Sequence, residues 1–165
     1  MGKSSYRGDE PAVYTKILVP LDGSTASEAI LPHAKALAEK FRAEIFLMRV
    51  ESHPVIANYA DETMRWQFKN RDDADECYLD NIAAGWRKDG LTVSSGVFEG
   101  HIADTILEQA IIMKADLIAM ATHGVAGAGG VLFSGVAGRV LHHSPIPMLL
   151  VKSNSDAIEK AIAKH

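Results

Sequence analysis

The residues best suited to hold a ligand lie in the run Ala121-Thr122-His123-Gly124, continued through Val125 to Phe133 and closed by Ser134-Gly135-Val136. Gly124, Gly127, Gly129 and Gly130 fall within seven residues, and such spacing lets backbone come close to a guest. The free N–H groups of a helix's first turn favour an anion, and Ser134 is placed to cap such a helix. A plain surface loop followed by an ordinary capped helix has the same composition. His123 is the neighbouring side chain able to titrate near neutral pH, either donating to an anion or serving the structure.

A second place of interest is Asp22-Gly23-Ser24. Aspartate suits a turn entering a helix, and the same carboxylate is able to accept a hydrogen bond from a sugar or to help hold a metal. His142 and His143 are adjacent rather than four apart, so they suit a helix C-terminus better than a metal pair. The chain has no nucleophile elbow, no zinc-type cysteine spacing and no helical His-Glu-x-x-His, so dedicated catalysis is not expected.

Positioning these residues requires short buried strands alternating with amphipathic helices. The apolar runs Ile17–Pro20, Glu44–Val50, Thr92–Phe98, Leu117–Ala121 and Met148–Val151 read as five strands. Helices are predicted over Thr25–Phe41, Glu62–Lys88, Ile102–Met113 and Gly135–His143. The first three carry a stripe at helical spacing: Ile30, Ala34, Leu37 and Phe41 in the first; Leu79, Ile82, Ala83 and Trp86 in the second; Ile102, Ile106, Ala110 and Met113 in the third. Thr25-x-x-Glu28 reads as a capping box, while Pro32 demands either a kink or a later helix start.

Right-handed crossovers then give a doubly wound parallel α/β sheet, with ligands expected outside the carboxyl ends of strands one and four. The segment Glu51–Arg71 mixes Pro54, Asn58, Trp66 and Phe68 with charges and reads as a lid or a partner surface.

The 165 residues suit one domain, expected over 14–152, with a flexible leader over 1–13 and a tail over 153–165 that reads as a short helix. A formal charge of -4 provides no electrostatic footprint for nucleic acid or an anionic membrane. No stretch reaches the roughly 18 apolar residues that would span a bilayer. The single cysteine, Cys77, and the lack of an apolar leader point to the cytoplasm.

Three segments in order, Lys16-Ile17-Leu18-Val19-Pro20-Leu21-Asp22-Gly23-Ser24, Ala115–Gly124 and Gly138–Val151, resemble the universal stress protein family from about Tyr14 to Lys152. The resemblance implies a Rossmann-like five-stranded sheet in the order 3-2-1-4-5 with helices on both faces. For one subgroup it also implies an adenine nucleotide pocket marked by Gly-x-x-Gly and a later Gly followed by Ser or Thr. The matching positions here are Ala121, Gly124, Ser134 and Gly135, with one glycine replaced and the final pair reversed. The implied site comprises Pro20, Asp22 and Val50 on the adenosine side, with Ala121, His123, Gly124, Gly127, Ser134, Gly135 and Val136.

No Lys or Arg occurs from Ala115 through Gly138, so ATP would rely on backbone N–H groups, the helix dipole, His123 and Mg2+. At most slow ATP hydrolysis is expected. The family's usual dimer uses strand five, which implies a homodimer through Met148, Leu149, Leu150 and Val151, with the tail docking on the partner. The alternative is a homodimeric interaction protein whose degenerate loop binds no nucleotide. A flavodoxin-like electron carrier fits less well, because the strand-one loop lacks a Ser/Thr-Gly phosphate cluster.

Overall fold

The structure, a computed structural model, describes residues 13–52, 62–123 and 135–153. Element order is β1 (Lys16–Pro20), a 3-10 turn (Ser27–Ile30), α1 (Leu31–Phe41), β2 (Glu44–Glu51), α2 (Glu62–Lys88), β3 (Val93–Glu99), α3 (Ile102–Ile112), β4 (Leu117–His123), α4 (Gly135–His143) and β5 (Met148–Ser153). All pairings are parallel, and the five strands are ordered β3-β2-β1-β4-β5, as expected from the sequence.

The two-residue period of each strand sorts its side chains into two cores. Ile17, Val19, Ile45, Leu47 and Ala119 pack with Ala34 and Ala38 of α1 and with Leu79, Ala83 and Trp86 of α2. Leu18, Met48, Ile118 and Met120 point the other way, onto Ala103, Ile106 and Ala110 of α3 and Ala137 and Val140 of α4. Both faces of the sheet are therefore covered, which is why its strands read as nearly continuous apolar runs.

The first helix takes the later start that Pro32 calls for, in place of a start at Thr25. It begins at Leu31, with Pro32 in the first turn, and a 3-10 turn precedes it. Proline is tolerated there because the first N–H groups of a helix have no partner within the helix. The Thr25–Glu28 capping box does not form. Ser24 Oγ accepts the N–H of Ser27 at 3.1 Å, and Ser27 Oγ donates to Ser24 O at 2.8 Å. Glu28 instead accepts the hydroxyl of Tyr78, from α2, at 2.9 Å.

Several strand and helix ends shift by one or two residues: β4 runs on to His123 and β5 to Ser153. Within Glu51–Arg71, residues from Glu62 onward are helical. The leader through residue 12 and the tail from 154 lie outside the described residues. Cys77 is exposed and free. No helix among the described residues is long and apolar enough to cross a membrane.

Candidate functional site

The pairing pattern opens a crevice between β1 and β4. β1 pairs with β2 along its whole length, Lys16↔Glu44 to Pro20↔Met48, whereas it pairs with β4 only at Ile17↔Leu117 and Leu18↔Ile118. Beyond Leu18 the two strands part. This is also the point where strand order reverses, the usual ligand position in a doubly wound sheet.

A cavity of about 360 Å³ occupies the opening. Pro20, Leu21, Asp22 and Ser27 line it from the end of β1 and the following turn, and Val50 from the end of β2. Met120, Ala121 and Thr122 line it from β4, Ile102 and Ile106 from α3, and Gly135, Val136 and Ala137 from the start of α4. The walls are thus mainly aliphatic, with Asp22, Ser27 and Thr122 as the polar groups. A slot of this kind takes a flat apolar ring system and fixes its orientation through a few polar contacts.

Asp22 is held by its own turn. Its Oδ1 accepts the N–H of Ser24 at 2.9 Å and the hydroxyl of Ser24 at 2.6 Å. Its N–H points to Ser27 Oγ at 3.4 Å, a weak bond. Gly23 between them has φ +81°, a left-handed conformation that other residues adopt only at a cost. Gly135 has φ +83° at the entrance to α4, so this position demands glycine whatever the residue before it. Among the described residues nothing lies close enough to obstruct a β-carbon there, whereas the left-handed φ by itself disfavours other residues.

Behind the turn, Tyr78 links α2 to the 3-10 turn through Glu28. Burial, followed by that hydrogen bond, raises its phenol well above the usual value of 10.0, with the charge of Asp22 adding to the effect.

Six of the ten residues singled out from the sequence meet at this cavity: Pro20, Asp22, Val50, Ala121, Gly135 and Val136. His123 stands at the end of β4, paired with Ser153. Gly124, Gly127 and Ser134 lie outside the described residues. Sequence reasoning assigned Leu21, Ser27, Met120 and Ala137 no site role, placed Thr122 in the ligand-holding run without a role of its own, and gave Ile102 and Ile106 only a core role. The available signal was that both isoleucines sit in the first turns of α3, next to the carboxyl ends of the strands. His101, just ahead of α3, makes no side-chain cap. His142 and His143 are exposed, and no group of three His, Cys, Asp or Glu among the described residues is placed to hold a metal.

Comparison with known proteins accords with this architecture. A universal stress protein of Methanocaldococcus jannaschii is 32% identical over 146 residues, covering 85% of this chain and 83% of that protein. The solved hypothetical protein MJ0577 superposes with a TM-score of 0.72 at 27% identity, over 87% of this chain and 99% of that one. A universal stress protein family protein from Arabidopsis thaliana, solved with AMP bound, shares the fold at a TM-score of 0.62 and 16% identity, over 87% and 94% of the two chains. The model of the Universal stress protein family matches residues 13–152, and with that extent of match the chain belongs to the universal stress protein family.

Proposed function

We propose that this protein is a cytoplasmic stress-response module that binds an adenine nucleotide in the crevice between β1 and β4. The observation that carries the reading is convergence: the ends of β1, β2 and β4 and the first turn of α4 all line one cavity. The aliphatic walls from Val50, Ile102, Met120 and Val136 suit the adenine ring. Asp22 is placed at the polar rim to accept a ribose hydroxyl. The AMP bound by the Arabidopsis relative supports this ligand class.

Phosphates would extend toward α4, whose first-turn N–H groups favour negative charge. A helix dipole contributes only about 0.3–1 kcal/mol per charge at exposed sites. No lysine or arginine is among the described lining residues, and the loop from Gly124 to Ser134 contains none. ATP therefore gains over AMP chiefly when Mg2+ accompanies it. Asp22 is the one carboxylate among the described lining residues, so Mg2+ would be held mainly by phosphates and water, as this ion commonly is.

The described lining residues form a slot suited to a nucleoside, which supports a protein that acts by binding, with at most slow hydrolysis of ATP. A homodimer through β5 completes the reading. That strand is at the sheet edge, and Met148, Leu149, Leu150 and Val151 are each half-buried there. An apolar edge of this kind is normally covered or paired.

A fluorescent ATP analogue, titrated with and without Mg2+ and displaced by AMP, tests the reading. Saturable binding that AMP competes away is expected. No binding up to millimolar analogue would reject it in favour of a homodimeric interaction protein with no nucleotide.

A further inference from the structure

The other side of the sheet from the cavity carries a charged group that nucleotide binding does not use. Strand alternation sends Val50 to the cavity and its neighbour Arg49 to the face covered by α2. There Arg49 Nε lies 2.8 Å from Asp75 Oδ2 of α2 and 3.9 Å from Glu51 Oε1 of its own strand. Both residues are buried, their side chains about nine-tenths removed from solvent. The contact with Asp75 is short, yet it is not aligned as a hydrogen bond, so charge rather than direction holds the pair.

Neutralising two buried carboxylates would account for a cation here, because an unpaired buried charge is strongly destabilising. It does not account for where the guanidinium ends. Arg49 Nη1 lies against Gly23, so that a β-carbon on Gly23 would collide with it. Gly23 is the middle of the turn in which Asp22 Oδ1 accepts both hydrogen bonds from Ser24. The guanidinium therefore spans from a carboxylate on α2 to the turn that sets the direction of Asp22. A planar fork is suited to that span, whereas a lysine would place one point charge on a flexible stem.

We propose that Arg49 is a positioning residue. Its guanidinium braces the Asp22–Ser24 turn from the rear of the sheet, anchored on Asp75, and so keeps the Asp22 carboxylate aimed at the ribose of a bound nucleotide. The placement of α2 is thereby coupled to sugar recognition on the opposite face. This inference rests on the crevice being a nucleotide site with Asp22 as its ribose acceptor.

The test uses the full chain and calorimetric binding of two ligands, adenosine and 2′,3′-dideoxyadenosine, which keeps the 5′ hydroxyl but lacks the 2′ and 3′ hydroxyls. The wild type should prefer adenosine by roughly tenfold, the value of one good hydrogen bond to a charged group. Arg49→Lys retains a charge for the buried carboxylates, so its thermal midpoint should stay close to wild type while the preference for adenosine disappears. Dideoxyadenosine should bind both proteins alike. Asp22→Asn should lose the same preference, and adding Arg49→Lys to it should cause no further loss.

An unchanged adenosine preference in Arg49→Lys would overturn the proposal. Equal loss for both ligands would also overturn it, since a purely structural role predicts that result. Wild type that binds both ligands without preference would remove Asp22 as the ribose acceptor and the proposal with it, leaving nucleotide binding intact. Wild type that binds neither nucleoside would overturn the proposal, while displacement of the ATP analogue by AMP decides the nucleotide reading separately.

Discussion

Asp116 Oδ2 accepts the backbone N–H of Thr15 at 2.7 Å and the hydroxyl of Thr15 at 2.6 Å, joining the chain just ahead of β4 to the chain just ahead of β1. Lys16 N–H lies 3.1 Å from the other carboxylate oxygen. The strands are cinched at this rim, where Ile17 pairs with Leu117, and open at the opposite rim, where the cavity lies. Stability and binding are thus assigned to opposite ends of the same two strands.

Replacing Asp116 by alanine should therefore separate the two. Loss of these bonds should cost about 1–3 kcal/mol of folding stability, read by urea unfolding. AMP affinity of the folded protein should change by less than roughly threefold, well under the tenfold that corresponds to 1.4 kcal/mol. A large loss of affinity at unchanged stability would contradict the assignment.

Val136→Trp should do the reverse. Val136 lines the cavity and is only half-buried at the first turn of α4, so the larger ring has the open crevice to occupy. Nucleotide affinity should fall by at least roughly tenfold, or 1.4 kcal/mol, with the thermal midpoint near that of wild type. Calorimetry and thermal unfolding of the same preparation check both halves.

Much of this arrangement was legible because it depends on local periodicity. The runs Ile17–Pro20 and Leu117–Ala121 and the stripe Leu79, Ala83 and Trp86 needed only two-residue or helical spacing to be assigned; right-handed crossovers then gave a doubly wound parallel sheet, and the family resemblance implied its strand order. What spacing could not show were contacts between distant residues. Glu28 turns away from Thr25 because Tyr78, 50 residues on, donates to it. Asp116 and Thr15 are 101 residues apart. Nothing in its spacing singles out Arg49 within β2; the packing of α2 puts Asp75 beside it, and the turn after β1 brings Gly23 against it. The cavity residue Met120 was hidden for another reason: a strand residue near an opening looks like any other strand residue.

Alkaline pH should weaken the fold through Tyr78. Its native value is raised by burial and by the bond to Glu28, so the folded state holds the proton more tightly than the unfolded chain does. That contribution is complete below the unfolded value of about 10 and is lost as pH rises beyond it. Lys35, raised by its hydrogen bond to Asp89 at 2.6 Å, acts in the same direction. Unfolding free energy measured from about pH 9 upward should decline in wild type and decline less steeply in Tyr78→Phe. Identical slopes would show that Tyr78 ionises freely in the native state.

Pairing through β5 predicts a particle of twice the monomer mass by light scattering. Val151→Lys, which places a charge on the apolar edge, should shift the population to monomer. A monomeric wild type, or a dimer indifferent to Val151→Lys, would move the interface elsewhere.

The most direct test of the central claim is a map of backbone amide NMR shifts as AMP is titrated into the full chain. The largest changes should fall on Asp22, Val50, Thr122 and Val136, around the mouth of the crevice, while Thr15 and Asp116 at the far rim stay still. Shifts gathered instead on the groove between α2 and β3, around Asp80 and Ser95, or no shifts at millimolar AMP, would contradict it.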